Sequence, residues 1–270
     1  MKYIFLNLKR FDVLRSMGGV NSISPIEEWG SYIAKILGQG VSRFSDATFV
    51  VFFPEAHLLS AKSALTEKSP IALGCQGVHF ENVSAGGNFG AFTTSFPAAA
   101  AASLGCTWTI IGHCEERRKL KSIGGTNEAE ILGKSVKCAV ESGLNVLYCV
   151  GESAEEQPIK EQVLREQLQP VIDFGKTANI VVGYEPVWAI GPGKVPPDEE
   201  YIRSIASYIK SIVPNAIVYG GGLKTENAPM LAGIESIDGG LIALTRFSGD
   251  IGFYPDEYLE IVSQYLGGKQ

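Results

Sequence analysis

Three side chains of proton-moving type stand at the ends of three apolar runs. Lys9 follows Tyr3-Ile4-Phe5-Leu6-Asn7-Leu8, His113 follows Trp108-Thr109-Ile110-Ile111-Gly112, and Glu185 follows Ile180-Val181-Val182-Gly183-Tyr184. A carboxylate can take a proton from carbon. An imidazole can hydrogen-bond to a carbonyl and to the enediolate it becomes, and an ammonium can offset the negative charge that builds up. Together the three suit proton transfer next to a carbonyl. Glu185 leads at once into Pro186-Val187-Trp188-Ala189-Ile190-Gly191-Pro192-Gly193-Lys194. A stiff Pro-Val-Trp arm running into glycines reads as a lid hinged at its base, and a lid that excludes water protects a reactive enediolate. His113 stands before Cys114-Glu115-Glu116-Arg117-Arg118, a helix start. A helix N-terminus disfavours imidazolium, so His113 is expected as neutral imidazole. The same position is expected to lower the thiol pKa of Cys114, although this chemistry needs no nucleophile.

Taken singly, each residue has a plainer reading. Lys9 can be a solvated turn residue, Asn7 a satisfied turn amide, His113 a capped core histidine, and Glu185 the partner of any lysine. The chemical reading depends on all three falling on one rim, and that depends on the elements that carry them.

Those elements alternate. Short apolar runs at 3–8, 48–53, 71–76, 108–112, 145–150, 180–184, 216–219 and 240–244 read as strands. Helical spacing or alanine-rich sequence follows at 25–38 (with Ser24 as cap), 56–65, 97–104, 127–142, 158–173, 198–212, 225–231 and 255–266. Runs that are apolar throughout, without polar alternation, imply strands buried on both faces and paired in parallel. Eight such units and no linker-like break predict one domain over residues 1–270, a closed (β/α)8 barrel. Active sites of that architecture sit at the C-terminal ends of the strands. The rule selects Asn7, Lys9, His113, Glu185, the glycines at 220–222 and the turn after Leu244.

Composition narrows the classes. With 270 residues, 45% hydrophobic and 19% charged, the chain can bury one large core. A net charge of -6 is a poor match to nucleic acid or to an anionic membrane surface, and no apolar run is long enough for a membrane span. Five cysteines, an odd number without a C-x-x-C pair, fit reduced thiols in a cytoplasm better than a disulfide frame or a zinc site. His57 and His79 match no catalytic pattern, and Glu155-Glu156 reads as a solvated charge pair.

The segment Tyr184-Glu185-Pro186-Val187-Trp188-Ala189-Ile190-Gly191-Pro192-Gly193-Lys194 closely resembles the Y-E-P-V-W-A-I-G-T-G-K segment of the triosephosphate isomerase family. Ile111-Gly112-His113-Cys114-Glu115-Glu116-Arg117-Arg118 is similar to that family's G-H-S-E-R-R segment, with one extra acidic residue and Cys114 in the serine place. Asn7-Leu8-Lys9 resembles N-W-K, Gly90-Ala91-Phe92-Thr93 resembles G-A-F-T, and Tyr219-Gly220-Gly221 matches Y-G-G. The likeness covers nearly the whole chain. It implies an aldose–ketose isomerase that interconverts dihydroxyacetone phosphate and glyceraldehyde 3-phosphate without metal or organic cofactor. On matching positions it implies Glu185 as the base, His113 as the electrophile, Lys9 as the charge stabiliser, Asn7 at the substrate oxygens and Glu115 behind the histidine. The Gly191 N–H would close onto the phosphate. Thr93 would reach into a neighbouring subunit, making the active form a homodimer.

This sequence also departs from the family pattern. A lid-latching serine is replaced by Gly222, and Pro196 stands where a main-chain N–H would be used. The family's G-G-A-S turn reads Ala243-Leu244-Thr245-Arg246 here, crowding a place where glycine lets phosphate approach closely. Backbone N–H groups at Gly222, Ala243 and Leu244 remain available, and Arg246 can supply a side-chain phosphate contact or pair with Asp250 on the surface. Two alternatives stay open at this level: a paralogous isomerase for a four-carbon tetrulose phosphate, and a barrel that binds a metabolite without turnover.

Overall fold

The computed structural model describes residues 1–124, 127–174, 178–191 and 193–267. Eight parallel strands close on one another in sequence order: β1 (Lys2–Asn7), β2 (Ala47–Phe53), β3 (Ile71–Cys75), β4 (Trp108–Ile111), β5 (Asn145–Val150), β6 (Ile180–Tyr184), β7 (Ile217–Tyr219) and β8 (Gly239–Ile242). Closure is made by β1 against β8, with Tyr3 in register with Gly239 and Leu6 with Ile242. A chain of uninterrupted apolar strands has no face to give to water, and a closed barrel wrapped in helices is the arrangement that buries both.

The helices are α1 (Trp29–Val41), α2 (Leu58–Ala64), α3 (Ala98–Ser103), α4 (Cys114–Ile123), α5 (Glu128–Glu141), α6 (Lys160–Gln167), α7 (Gln169–Phe174), α8 (Glu199–Ile212), α9 (Ala228–Ala232) and α10 (Pro255–Tyr265). Two layers of core result. The barrel interior holds Phe5, Val50, Phe52, Trp108, Ile110, Leu147, Cys149, Val181, Val218 and Leu241. Its aromatic members interlock, with Phe5 stacked on Phe52 at 5.8 Å and edge-on to Trp108 at 5.3 Å. The outer layer packs strand residues such as Ile4, Val51 and Tyr184 against helix residues such as Ile33, Val136, Ile205 and Ile261.

Several boundaries differ from the sequence reading. Ser24 does not cap α1: its hydroxyl donates to the Pro25 carbonyl, and the helix begins only at Trp29, after Glu28. The helix expected over 158–173 is broken, because Pro170 near the start of α7 has no N–H to continue the α6 ladder. β8 stops at Ile242, two residues early. Beyond it the Thr245 and Arg246 N–H groups turn to the Gly252 carbonyl, and Arg246 and Gly252 form an antiparallel bridge.

Candidate active site

The strand ends deliver the proton-moving side chains to one cavity of about 390 Å³ at the C-terminal mouth of the barrel. Its lining includes Asn7, Lys9, His113, Glu115, Glu185, Gly191, Gly222, Ala243 and Leu244. Two residues selected from the sequence are elsewhere. Thr93 lies exposed on the loop before α3. Arg246 is turned away: its Nε donates to Glu257 at 2.8 Å and its guanidinium lies 3.9 Å from the Tyr254 ring centroid. Asp250 is instead the partner of Arg15 at 3.0 Å. The Arg246–Asp250 pair read from the sequence is not formed, and Arg246 is not part of the cavity lining.

Glu185 is held from three sides. Its backbone N–H donates to the Val150 carbonyl at 2.8 Å, as the first residue past β6. A Cβ on Gly151 would lie 1.7 Å from the Glu185 carbonyl oxygen, and one on Gly220 would lie 2.7 Å from Glu185 Cγ. Both neighbouring strand ends therefore have to be glycine for this carboxylate to sit where it does. Glu185 is 2% exposed, with Oε2 accepting the Cys114 N–H at 2.8 Å and Oε1 3.3 Å from His113 Nε2.

His113 caps α4, and its Nδ1 accepts the Glu115 N–H at 3.2 Å. With Nδ1 accepting, the ring proton is on Nε2, the nitrogen that faces Glu185. The turn that presents His113 is fixed by the helix it caps: the Gly112 N–H donates to Glu116 at 2.6 Å and its carbonyl accepts from Arg117 Nε at 2.7 Å. Arg117 also reaches the Cys149 carbonyl at 2.6 Å, tying the ends of β4 and β5 together. The extra acidic residue thus has a structural use that its type alone did not reveal.

Lys9 adopts φ 42°, a left-handed conformation uncommon outside glycine. Asn7 Oδ1 accepts its N–H at 3.0 Å, and Gln76 Nε2 donates to its carbonyl at 2.9 Å. The ammonium pairs with Glu115 at 2.8 Å. Gln76 follows β3, and in the sequence an amide there carries no signal beyond its place on the rim.

Glu152 likewise carries no distinguishing signal in the sequence. It is fully buried after β5, and its Oε1 accepts from Trp188 Nε1 at 2.8 Å, Tyr184 OH at 2.9 Å and Tyr201 OH at 3.0 Å. The Val187 N–H also donates to its carbonyl at 3.1 Å. Asp198 caps α8 by accepting the Tyr201 N–H, which brings that tyrosine into the group. One carboxylate therefore anchors the base of the arm after Glu185. Farther along, Gly191, Gly193, Lys194, Val195 and Pro196 are exposed; Pro192 lies outside the described residues.

Comparison with known proteins follows the same outline. A family model described as triosephosphate isomerase matches residues 25–262. The chain belongs to the triosephosphate isomerase family. The protein named triosephosphate isomerase from Chlorobium phaeobacteroides (strain BS1) is 35% identical over 225 residues, covering 78% of this chain and 82% of that one. The Azoarcus sp. (strain BH72) protein of the same name is 37% identical over 205 residues, covering 72% and 79%. A solved structure of triosephosphate isomerase from Bartonella henselae superposes with a TM-score of 0.72, covering 98% of this chain and 99% of that one at 23% identity, a likeness of fold.

The electrostatics suit a family member's proton transfer. Burial raises the Glu185 pKa above the usual carboxylate range, against the opposing pull of His113, the Cys114 N–H and Lys9. Burial would also raise Glu115, but the Lys9 hydrogen bond and charge outweigh it and hold that carboxyl low. Cys114 corrects a sequence expectation. Its thiol pKa is pushed up to about 12, by burial first and then by the Glu185 charge, not lowered by the helix start. His113, Cys114 and Glu185 do place one ligand atom each within 4.8 Å of one another. A cation there would need the lone pair of Nε2. The Glu115 N–H on Nδ1 leaves that nitrogen protonated, so the trio as hydrogen-bonded offers only two ligand atoms.

Proposed function

We propose that this chain interconverts dihydroxyacetone phosphate and glyceraldehyde 3-phosphate through an enediolate. In this reading Glu185 moves the proton between the two carbons, His113 Nε2–H polarises the carbonyl, and Lys9 offsets the developing charge. The observation that carries it is the approach of Glu185 to His113 Nε2 at 3.3 Å in a cavity that Lys9 also lines. A buried base of raised pKa facing a fixed N–H donor is the pairing that proton abstraction beside a carbonyl requires. Asn7 positions Lys9 and lines the substrate space. The Gly191 N–H closes on the phosphate when the arm swings in, and the N–H groups of Gly222, Ala243 and Leu244, which donate to no protein acceptor among the described residues, serve the same group. The test is a coupled isomerase assay with proton exchange followed in deuterated water. Turnover by the purified chain, lost in Glu185→Gln, supports the reading; a wild-type chain that neither isomerises nor exchanges would overturn it.

The working form in this reading is a homodimer in the cytoplasm. Phe89, 81% exposed, and Thr93 project from a loop that Asn88 braces by accepting the Ser84 and Gly90 N–H groups at 3.2 Å each. An apolar groove beside Leu14, Met17 and Ile26 gives a second copy of that loop a place to dock. All five cysteines are free and buried, which suits a reducing compartment. Among the described residues no helix is long and apolar enough to cross a membrane. Light scattering on the purified chain tests the assembly: a dimer mass that falls to a monomer in Phe89→Asp is the expected result.

A further inference from the structure

Glu185, His113 and Lys9 act on the reacting carbons; the anionic end of the substrate needs a different hold. The turns after β7 and β8 line that part of the cavity through Gly222, Lys224, Ala243, Leu244 and Phe247. Ala243 and Leu244 add side chains to the turn, and Arg246 is neutralised by Glu257 outside it. Lys224 is placed differently. Gly222 has φ +96°, where a side chain is strained, and a Cβ built there would lie 3.6 Å from Lys224 Cε. The lysine stem therefore runs along the bare face of Gly222. Its turn is fixed, because the Lys224 N–H donates to Asn227 Oδ1 at 2.8 Å and Asn227 Nδ2 donates to the Gly222 carbonyl at 2.9 Å.

The ammonium of Lys224 stands 3.8 Å from the centroid of the Phe247 ring. Among the described residues no carboxylate forms an ion pair with it, whereas Lys9 in the same cavity is taken by Glu115. An aromatic face steadies a cation without cancelling its charge, so the charge stays available to an incoming dianion. Lys194, also in the cavity wall, is exposed and belongs to the arm itself. Arg118, exposed on α4, lines the cavity beside His113; Lys224 is the cation of the turns after β7 and β8.

We propose that Lys224, steadied on Phe247, holds the phosphate group of the substrate and sets the preference for phosphorylated over unphosphorylated sugars. The inference rests on the isomerase reading above for its substrate, but the site itself is a phosphate site that can be tested alone. A charge-assisted contact to phosphate of this kind corresponds to roughly tenfold to a hundredfold in affinity.

The variant to compare with wild type is Lys224→Met, which keeps the stem against Gly222 and Phe247 and removes the charge. Steady-state kinetics are measured on glyceraldehyde 3-phosphate and on glyceraldehyde, and binding of inorganic phosphate is titrated separately by calorimetry. The expected result is a rise of about tenfold or more in KM for the phosphorylated substrate and in the Kd for phosphate. The loss in kcat/KM is then at least tenfold larger on glyceraldehyde 3-phosphate than on glyceraldehyde, and Lys224→Arg recovers most of it. Equal losses on the two substrates would show a merely structural role and overturn the proposal, as would KM and Kd values within twofold of wild type. A wild type that binds phosphate through Lys224 without turning over either sugar sinks the isomerase reading and leaves the phosphate site standing; a wild type that does not bind phosphate overturns the site.

Discussion

Replacing Glu185 by glutamine removes the proposed base while changing almost nothing in shape. The cost to rate follows from the chemistry: a positioned general base contributes about 10²–10⁴-fold. At 1.36 kcal/mol per decade this is roughly 3–5 kcal/mol of transition-state stabilisation. The fold should survive. The glutamine carbonyl oxygen can still accept the Cys114 N–H that Oε2 accepts at 2.8 Å, but its NH₂ then faces the protonated His113 Nε2 that Oε1 approaches at 3.3 Å. Two donors face to face cost about 1–3 kcal/mol. Against that stands the burial of an ionised carboxylate. Because the folded pKa of Glu185 is raised, its favourable contribution is complete below the unfolded pKa and is lost as pH rises through the folded pKa. The wild type loses this contribution as its carboxyl ionises, whereas the glutamine variant has nothing to lose. The two effects oppose, so Tm should stay within about 4 °C of wild type at pH 7. On acidification below about pH 4, where the wild-type carboxyl is protonated in both states, the variant's relative stability should decline. The assay is kcat by coupled turnover, with thermal melts at pH 4 and pH 7. A variant within tenfold of wild-type kcat would refute the assignment of Glu185, and a large drop in Tm at pH 7 would refute the account of its surroundings.

Three further outcomes follow from the same geometry. The acid limb of kcat/KM against pH should lie above the ordinary glutamate value near 4.3, because the free enzyme's base must be ionised to act and burial raises its pKa; a limb at or below that value would contradict the burial argument. Gly220→Ala should lower kcat by roughly 10²-fold and cost about 1–3 kcal/mol of stability, since its Cβ would lie 2.7 Å from Glu185 Cγ and 2.9 Å from the Tyr184 carbonyl oxygen; unchanged kinetics would mean the strand ends yield more easily than their packing indicates. Cys114 should resist iodoacetamide in the native protein at pH 7, since a thiol at about 12 leaves roughly one thiolate in 10⁵ molecules; rapid labelling of that position by mass spectrometry would overturn it.

What the sequence made legible, and what it hid, divides along a physical line. The barrel could be read because continuous apolar strands repeat at domain scale, a signal summed over many residues. The shared place of Lys9, His113 and Glu185 could be read because each sits at a strand end, where the architecture itself assigns them to one rim. Errors arose where a single neighbour decides the outcome. Cys114 was expected to be acidified by the helix start, but the same N–H that makes the helix start positive is spent on Glu185, whose charge and surrounding burial push the thiol the other way. Arg246 was read as a phosphate contact or a partner of Asp250, but β8 ends early, the chain folds back on Gly252, and the guanidinium is carried to Glu257 on α10. Ser24 stands where a cap is expected but the helix does not begin there.

Glu152 shows the limit most clearly. In sequence it is a carboxylate after a strand, of the same type and place as Glu185. The difference between them is made entirely by partners that lie far away along the chain. Glu152 Oε1 receives three donors, from Tyr184, Trp188 and Tyr201, whereas Glu185 receives one backbone N–H and has a ring nitrogen 3.3 Å away at the cavity wall. A carboxylate oxygen that gathers donors from β6, the arm and α8 is suited to holding a hinge. A carboxylate with few donors and a raised pKa is suited to taking a proton. Strand-end position therefore selects the candidates in this barrel, and donor count decides between them.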